Sequence, residues 1–250
     1  MCLVNDLAMA LDPAVWARGQ LGLDPDPWQA DVLRSSSTRI LLNCARQTGK
    51  STVTAVLALH SALFRPESLV LLLSPSLRQS GELFKLVSGC YHQLAEAVTA
   101  DAESALRIEL ENGSRVVSLP GKERTVRGYS GVDLLVIDEA ARVGDDLYLS
   151  VRPILAVSGG RLIPLSTPFG KRGWWFHEWA EGGEGWYKVR VTAPECPRIS
   201  SEFLGEERRD LGEWWFQQEY ECEFMHAQTA AFSYDAVMGA LVEEVEIWNM

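Results

Sequence analysis

Residues 38–52 read Thr-Arg-Ile-Leu-Leu-Asn-Cys-Ala-Arg-Gln-Thr-Gly-Lys-Ser-Thr, and no other stretch restricts the fold of this chain as strongly. An apolar run, Ile40 to Leu42, leads into a short polar loop that closes on Gly49-Lys50-Ser51. A long apolar-periodic segment follows, which predicts strand, loop and helix in that order. At such a junction the backbone N–H groups of the loop and of the first helical turn converge on one point, and the helix dipole adds positive potential there. Lys50 would then reach the β- and γ-phosphates of a nucleotide, and the Ser51 hydroxyl would ligate Mg²⁺. The usual pattern opens with Gly, where this chain has Cys44. Taken alone, Gly-Lys-Ser is also compatible with an ordinary helix start.

A second stretch agrees with the first. Residues 132–141 read Val-Asp-Leu-Leu-Val-Ile-Asp-Glu-Ala-Ala, a strand from Leu134 to Ile137 that ends abruptly in Asp138-Glu139. A strand apolar on both faces suits a parallel sheet covered by helices, and in such sheets ligands bind at the carboxyl ends of the strands. That places Asp138 to hold Mg²⁺ and Glu139 to polarise an attacking water. The bland alternative is an acidic pair that merely caps the next helix.

With 250 residues, 47% of them hydrophobic, the chain can bury one large core and a small appendage. It has no stretch long enough to span a bilayer, and Met1 to Met9 lacks the basic-then-apolar order of a secretion signal. Five cysteines, at 2, 44, 90, 196 and 222, are an odd number without Cys-x-x-Cys spacing, pointing to an intracellular, reducing setting rather than a zinc or disulfide framework. The net charge of −11 is concentrated at one end: residues 195–250 hold 13 acidic and 3 basic side chains, leaving 21 and 20 in the rest. A domain that gripped nucleic acid by itself would show a basic excess. Any hold on DNA must therefore come from a local patch, from copies in a ring, or from a region outside this chain.

Along the chain, Asp12-Pro13 and Asp26-Pro27 read as helix starts, with Asp as cap and Pro in the first turn. Gln29, just inside the second, could read an adenine edge with its amide or simply lie on the surface. A helix to about Phe64, a buried strand Leu69 to Leu73, and a helix from about Leu77 to Val98 follow; Arg78, Gln79 and Lys85 on the last could face a nucleic acid or only solvent. Leu106–Leu110 and Val116–Leu119 alternate around Asn112-Gly113 as a β-hairpin. Gly121 to Gly131 is a loop carrying Lys122, Arg124 and Arg127, delivered straight into the acidic strand. The strand Arg161 to Leu165 ends in Ser166-Thr167-Pro168, whose hydroxyls could touch a γ-phosphate or a bound water, although Ser-Thr-Pro is also a routine strand exit. Trp174, Trp175, Phe176 and Trp179 read as packing. A strand at Tyr187 to Val191 precedes two helices, about Ser201 to Leu211 and Glu213 to Tyr220, which would form a small cap on the sheet.

In this order the pieces resemble the ATPase domain of the large terminase subunit of tailed bacteriophages, the motor that packages viral DNA. The resemblance rests on Ala45-Arg46-Gln47-Thr48-Gly49-Lys50-Ser51, where Arg-Gln replaces the glycine-rich opening and so accounts for Cys44. It also rests on Pro27-Trp28-Gln29, Ser74-Pro75 to Gln79, Val126-Arg127-Gly128, Val136 to Ala141, Ser166-Thr167-Pro168, and Phe216-Gln217-Gln218-Glu219-Tyr220 to Glu223-Phe224. It implies an α/β fold, a P-loop NTPase three-layer sandwich with a central, mostly parallel sheet and a small helical lid. The strand ending in Ser166-Thr167-Pro168 would lie between the phosphate-loop strand and the acidic strand. Residues 1–192 would form the core with an N-terminal adenine-binding segment, 193–225 the lid, and 226–250 an acidic linker or tail toward a nuclease domain that this chain does not reach.

The resemblance further implies ATP and Mg²⁺ as cofactors. Gln29, Arg46, Gln47, Thr48, Gly49, Lys50, Ser51 and Thr52 would bind the nucleotide, Ser51 and Asp138 the metal. Glu139, Arg127, Arg46 and Thr167 would be catalytic, with Arg127 acting on a neighbouring subunit's ATP, Arg46 as its rival in cis, and Thr167 passing ATP state to DNA movement. Implied partners are double-stranded DNA, a ring of identical subunits, a portal protein and a small terminase subunit, in the cytoplasm of an infected bacterium and at the procapsid portal vertex. A helicase-like translocase shares the phosphate loop and the Asp-Glu strand. An assembly module that only binds ATP would not need Glu139.

Overall fold

A computed structural model of the chain describes residues 3–94, 98–122 and 126–226. Its strands are β1 (Ile40–Cys44), β2 (Leu69–Ser74), β3 (Ala100–Ser104), β4 (Arg107–Leu110), β5 (Arg115–Pro120), β6 (Leu134–Asp138), β7 (Arg161–Ser166) and β8 (Tyr187–Val191). They form one sheet in the order β3-β4-β5-β2-β6-β7-β1-β8. Every pairing from β5 across to β8 is parallel, while β3–β4 and β4–β5 are antiparallel. The apolar runs of β1, β2 and β6 are buried at every position because helices cover both faces.

Strand periodicity divides the core in two. Val70 and Leu72 of β2 join one apolar cluster, and Leu69, Leu71 and Leu73 the other. The first cluster lies under α1 (Leu3–Leu11), α2 (Pro13–Leu21), α3 (Pro27–Arg34), α4 (Lys50–Phe64) and α5 (Leu77–His92), with Trp16, Leu59 and Phe84 inside it. The second lies under α6 (Asp145–Val151) and α7 (Gly173–Glu181) and takes Val151, Trp174 and Trp175. The tryptophans of α7 are therefore packing residues, as their crowding on one short helix suggested. A third, small cluster joins Leu204 of α8 (Ser201–Leu211) and Phe216 of α9 (Glu213–Glu219) to Ala45 and Ala193. This is the expected three-layer α/β sandwich with a helical lid. β7 lies between β1 and β6, the order that the resemblance implied.

Both Asp-Pro helix starts are used. The Asp12 carboxylate accepts the N–H groups of Ala14 and Val15 at 2.8 and 3.2 Å, and Gln29 Oε1 accepts the N–H of Asp26 at 2.9 Å. The hairpin around Asn112-Gly113 is β4–β5. The helix expected to run from Leu77 to Val98 ends at His92 instead. Beyond it the Tyr91 hydroxyl donates to the Val98 carbonyl, and the N–H of Glu111 donates to the Thr99 carbonyl, so the chain is already returning along the sheet edge as β3. α1, β3 and α6 go beyond the elements expected from the sequence; β3 is Ala-Asp-Ala-Glu-Ser, nearly all exposed, with no alternation of buried and exposed positions. Of the expected acidic tail, 226–250, all but His226 lies outside the described residues, as do Arg124 and residues 95–97.

Gly160, just before β7, is required by close approach. A Cβ there would lie 1.9 Å from the Val132 carbonyl oxygen, where the chain enters β6. Gly160→Ala should cost about 1–3 kcal/mol through forced displacement of this backbone, read as a lower midpoint of urea unfolding.

Candidate functional site

β1 ends at Cys44, whose side chain is fully buried in the core; burial pushes its thiol up to about 12 although the Lys50 charge opposes this. Cys44 is thus an inert core residue, which is why a side chain fits where glycine is commoner. The loop then turns through two left-handed positions, Gln47 at φ 61° and Gly49 at φ 92°. The Thr48 hydroxyl closes the loop on itself by donating to the Ala45 carbonyl at 2.9 Å. Thr48 can therefore offer a ligand its backbone N–H but not its hydroxyl. Gly49 is the N-cap of α4 and no side chain caps that helix, leaving the first-turn N–H groups of a 15-residue helix available at its positive end.

Lys50 opens that helix with only 8% of its surface exposed. Among the described residues its ammonium makes no hydrogen bond and no ion pair. The group that answers it electrostatically is Asp138, the last residue of β6. Burial and the neighbouring Glu139 charge push the Asp138 carboxyl up to about 6, and Lys50 and the N–H of Glu139 pull it back. Glu139 itself sits at φ 50°, a left-handed position unusual for a side chain this size, which is a strain found at functional strand ends. At the adjoining strand ends, Ser74 Oγ, Ser166 Oγ and Asn43 Oδ1 are buried without a partner. Ser166 and Asn43 are register partners on β7 and β1. Thr167, one residue on, is also buried.

The lid reaches this edge through Arg46. Its Nε donates to Glu219 Oε2 at 2.5 Å, its backbone N–H donates to the Glu219 carbonyl at 3.4 Å, and the Glu139 charge also acts on it. Glu139 has a second cation near it, Arg142 at 3.9 Å, whose guanidinium lies over the Phe169 ring. The reading of the sequence passed over Arg142 and did not give Glu219 a role in the site. The i, i+3 spacing of Glu139 and Arg142 was visible, whereas Glu219 is 173 residues from Arg46 and only the fold joins them.

Beside the loop is a cavity of about 290 Å³. Ala17, Leu33, Val53 and Val56 form its apolar side and Gln29, Thr52 and Arg198 its polar side. The Gln29 amide is engaged, its Oε1 with the N–H of Asp26 and its Nε2 with the Thr48 carbonyl at 3.4 Å, so one amide hydrogen remains for a ligand. Ser51 and Thr52 lie half-buried in the first turn of α4. Arg127 stands on an exposed turn after β5, held there by the buried Val126 before it. Arg78 is exposed, and Lys85 pairs with Glu82 on the solvated face of α5.

An uncapped helix start after a fully buried parallel strand, a buried lysine in its first turn and an acidic strand end two strands away define a protein of the P-loop NTPase-like α/β class. Within that class, the N-terminal family of T4-like-virus-type large terminase subunits matches residues 41–237, and the chain belongs to it. The large terminase subunit of Thermus virus P23-45 is 27% identical over 250 positions, covering 85% of this chain and 51% of that protein. That of Escherichia phage T5 is 27% identical over 220 positions, covering 82% and 49%. The chain thus spans about half the length of these relatives. Among solved structures, the large terminase ATPase domain of Thermus phage P74-26 superposes with a TM-score of 0.76 at 23% identity, covering 86% of this chain and all of that one. The large terminase of bacteriophage D6E in complex with ATP-γ-S gives 0.62 at 13%, over 86% and 52%. At these identities the structural likeness establishes the fold.

The raised Asp138 pKa fixes the sign of a pH effect. In the absence of divalent metal the native state holds this proton more tightly than the unfolded chain does. Its stabilising contribution is therefore complete below the unfolded value of 3.8 and is lost as the pH rises through about 6. Asp138→Asn should remove that fall, seen as a flatter dependence of unfolding free energy on pH between 4 and 7 in the presence of chelator.

Proposed function

We propose that this chain is the ATP-hydrolysing motor domain of a viral DNA-packaging terminase, coupling Mg-ATP hydrolysis to movement of double-stranded DNA into a procapsid. The observation that carries the reading is the buried Lys50 ammonium, unpaired among the described residues, at an uncapped helix start and facing Asp138. A polyphosphate accompanied by a divalent cation would answer all three at once. The solved D6E terminases, which bind ADP and ATP-γ-S, lend support.

In this reading the N–H groups of Gln47 to Thr52 wrap the phosphates and Lys50 bridges the β- and γ-phosphates. The base enters the cavity beside Gln29. Mg²⁺, held by the Ser51 hydroxyl and Asp138, would neutralise charge on the β- and γ-oxygens; two protein oxygens suit an ion that keeps several waters, and the described residues contain no cluster of three or more metal-binding side chains. Glu139 orients the attacking water and takes its proton. Arg127, on its exposed turn, neutralises γ-phosphate charge on a neighbour's ATP; its rival is Arg46, which would do so within the subunit. Thr167, buried between the two strand ends, transmits the state of the site into the sheet. A ring of identical subunits would supply the grip on DNA that the near-neutral body lacks, with a portal protein and a small terminase subunit as further partners. Its place would be the cytoplasm of an infected bacterium and, during packaging, the portal vertex.

Two sets of variants test the reading. Lys50→Ala should abolish ATP binding, whereas Glu139→Gln should bind ATP and lose about 10²–10⁴ in turnover, because only the water-orienting group is gone. Hydrolysis by Glu139→Gln at the unmutated rate would remove Glu139 from its role.

Arg127→Ala should bind ATP and lose about 10³–10⁵ in rate. In a preparation shown to be oligomeric, mixing it with Lys50→Ala should restore turnover, since one subunit brings the arginine and the other the intact pocket. No rescue under those conditions would leave Arg46 as the acting arginine.

A further inference from the structure

Two side-chain donors converge on a single backbone carbonyl in the phosphate loop. The Thr48 carbonyl accepts from Arg198 Nη2 at 3.0 Å and from Gln29 Nε2 at 3.4 Å. Both donors are fixed from behind by one residue. Asp26 accepts from Arg198 Nη1 and Nη2 at 2.9 and 2.8 Å, and its N–H donates to Gln29 Oε1. Asp26 and Gln29 belong to the start of α3, while Arg198 lies on the strap that leads from β8 into the lid helix α8. The packing is close: a Cβ on Gly49 would meet Gln29 Nε2 at 2.6 Å and Arg198 Nη2 at 3.6 Å.

In a trans peptide the C=O of one residue and the N–H of the next point in opposite directions. Holding the Thr48 carbonyl toward α3 therefore fixes the Gly49 N–H on the other side of the loop, where the uncapped turn of α4 begins. Glycine at φ 92° has no side chain to set this peptide, so its orientation must come from outside. We propose that Arg198 is a positioning residue for the phosphate loop: bridging Asp26 and the Thr48 carbonyl, it presents the Gly49 N–H to the phosphates. Because Arg198 is carried by the lid strap, the shorter of the two bonds that hold the loop in this form is made only when the strap is seated against α3. The inference rests on the reading of the site as an ATP site. Its rival is that Arg198, which also lines the base cavity, touches the base itself.

Inorganic tripolyphosphate separates the two, since it has phosphates and no base. Dissociation constants for Mg-ATP and for Mg-tripolyphosphate would be measured on the 250-residue chain and on Arg198→Ala, Arg198→Lys and Asp26→Asn. Arg198→Ala should weaken both ligands by about tenfold or more, the loss of a charge-assisted bond, while turnover at saturating ATP changes little. Arg198→Lys should recover only part, because the guanidinium fork holds the carboxylate and the carbonyl together and an ammonium does not. Asp26→Asn should weaken both ligands in the same sense, and it decides the matter if Arg198→Ala does not fold. The melting temperature should change little, as expected for an ion pair whose arginine is half exposed. Unchanged affinity for both ligands, a loss confined to ATP, or full recovery with lysine would each overturn the proposal. Failure of the unmutated chain to bind either ligand would instead sink the ATP-site reading, and this inference with it.

Discussion

Lys50 carries a positive charge into the protein at the positive end of a helix, and much of the surrounding architecture answers to it. Burying an ammonium without a partner is costly, and the helix dipole adds to that cost rather than relieving it. The nearest relief is Asp138, two strands away in the sheet, and it is incomplete: burial and Glu139 still push that carboxyl up to about 6. The sheet can hold such an arrangement because β1, β7 and β6 are parallel neighbours with fully or almost fully buried strands. Their carboxyl ends are fixed in register by the core, so the charges cannot move apart. A site held in this tension gains most from a ligand that brings both negative phosphate and a divalent cation.

Around that edge, three tethers join the phosphate-loop region to the lid. Arg46 pairs with Glu219 of α9, Asn43 Nδ2 donates to the Cys222 carbonyl at 3.1 Å, and Arg198 of the strap donates to the Thr48 carbonyl. The Cys222 thiol adds a bond to the Val191 carbonyl at the end of β8. The apolar contact beside them is small, with Ala45 of the loop joining the lid's cluster around Phe216 and Tyr220. The lid is thus positioned by polar bonds and one small apolar contact to the elements that would hold the nucleotide. Arg46 stands at the crossing point, in contact with Glu219 and within the field of Glu139.

Much of this was legible in the chain. The buried runs of β1, β2 and β6, the Asp-Pro helix starts, the Asn-Gly hairpin and the two lid helices follow from local composition, because apolar continuity, caps and turn residues act over a few neighbours. Gly49-Lys50-Ser51 and Asp138-Glu139 were also readable, since their chemistry is adjacent in sequence and their strands announce where they end. α1, β3 and α6 were missed, and α5 was drawn too long. β3 is an exposed edge strand of small and acidic residues, so its pairing with β4 and not its side chains makes it a strand.

The sequence by itself determined the class of fold and the two strand ends proposed to hold phosphate and metal, because each is written in a continuous stretch with its own periodicity. Only the tertiary structure decided what stands around them. The pairing of Arg46 with Glu219, the bridge from Arg198 to Asp26 and Thr48, and the placing of Ser74, Ser166 and Asn43 with unpartnered polar atoms at neighbouring strand ends all join residues remote in the chain. Such contacts leave no periodic trace in sequence, since each partner taken alone is an ordinary polar residue on a loop, a strap or a strand end. Strand order converts them into a site: with β7 inserted between β1 and β6, Thr167 is buried between the phosphate loop and the acidic pair.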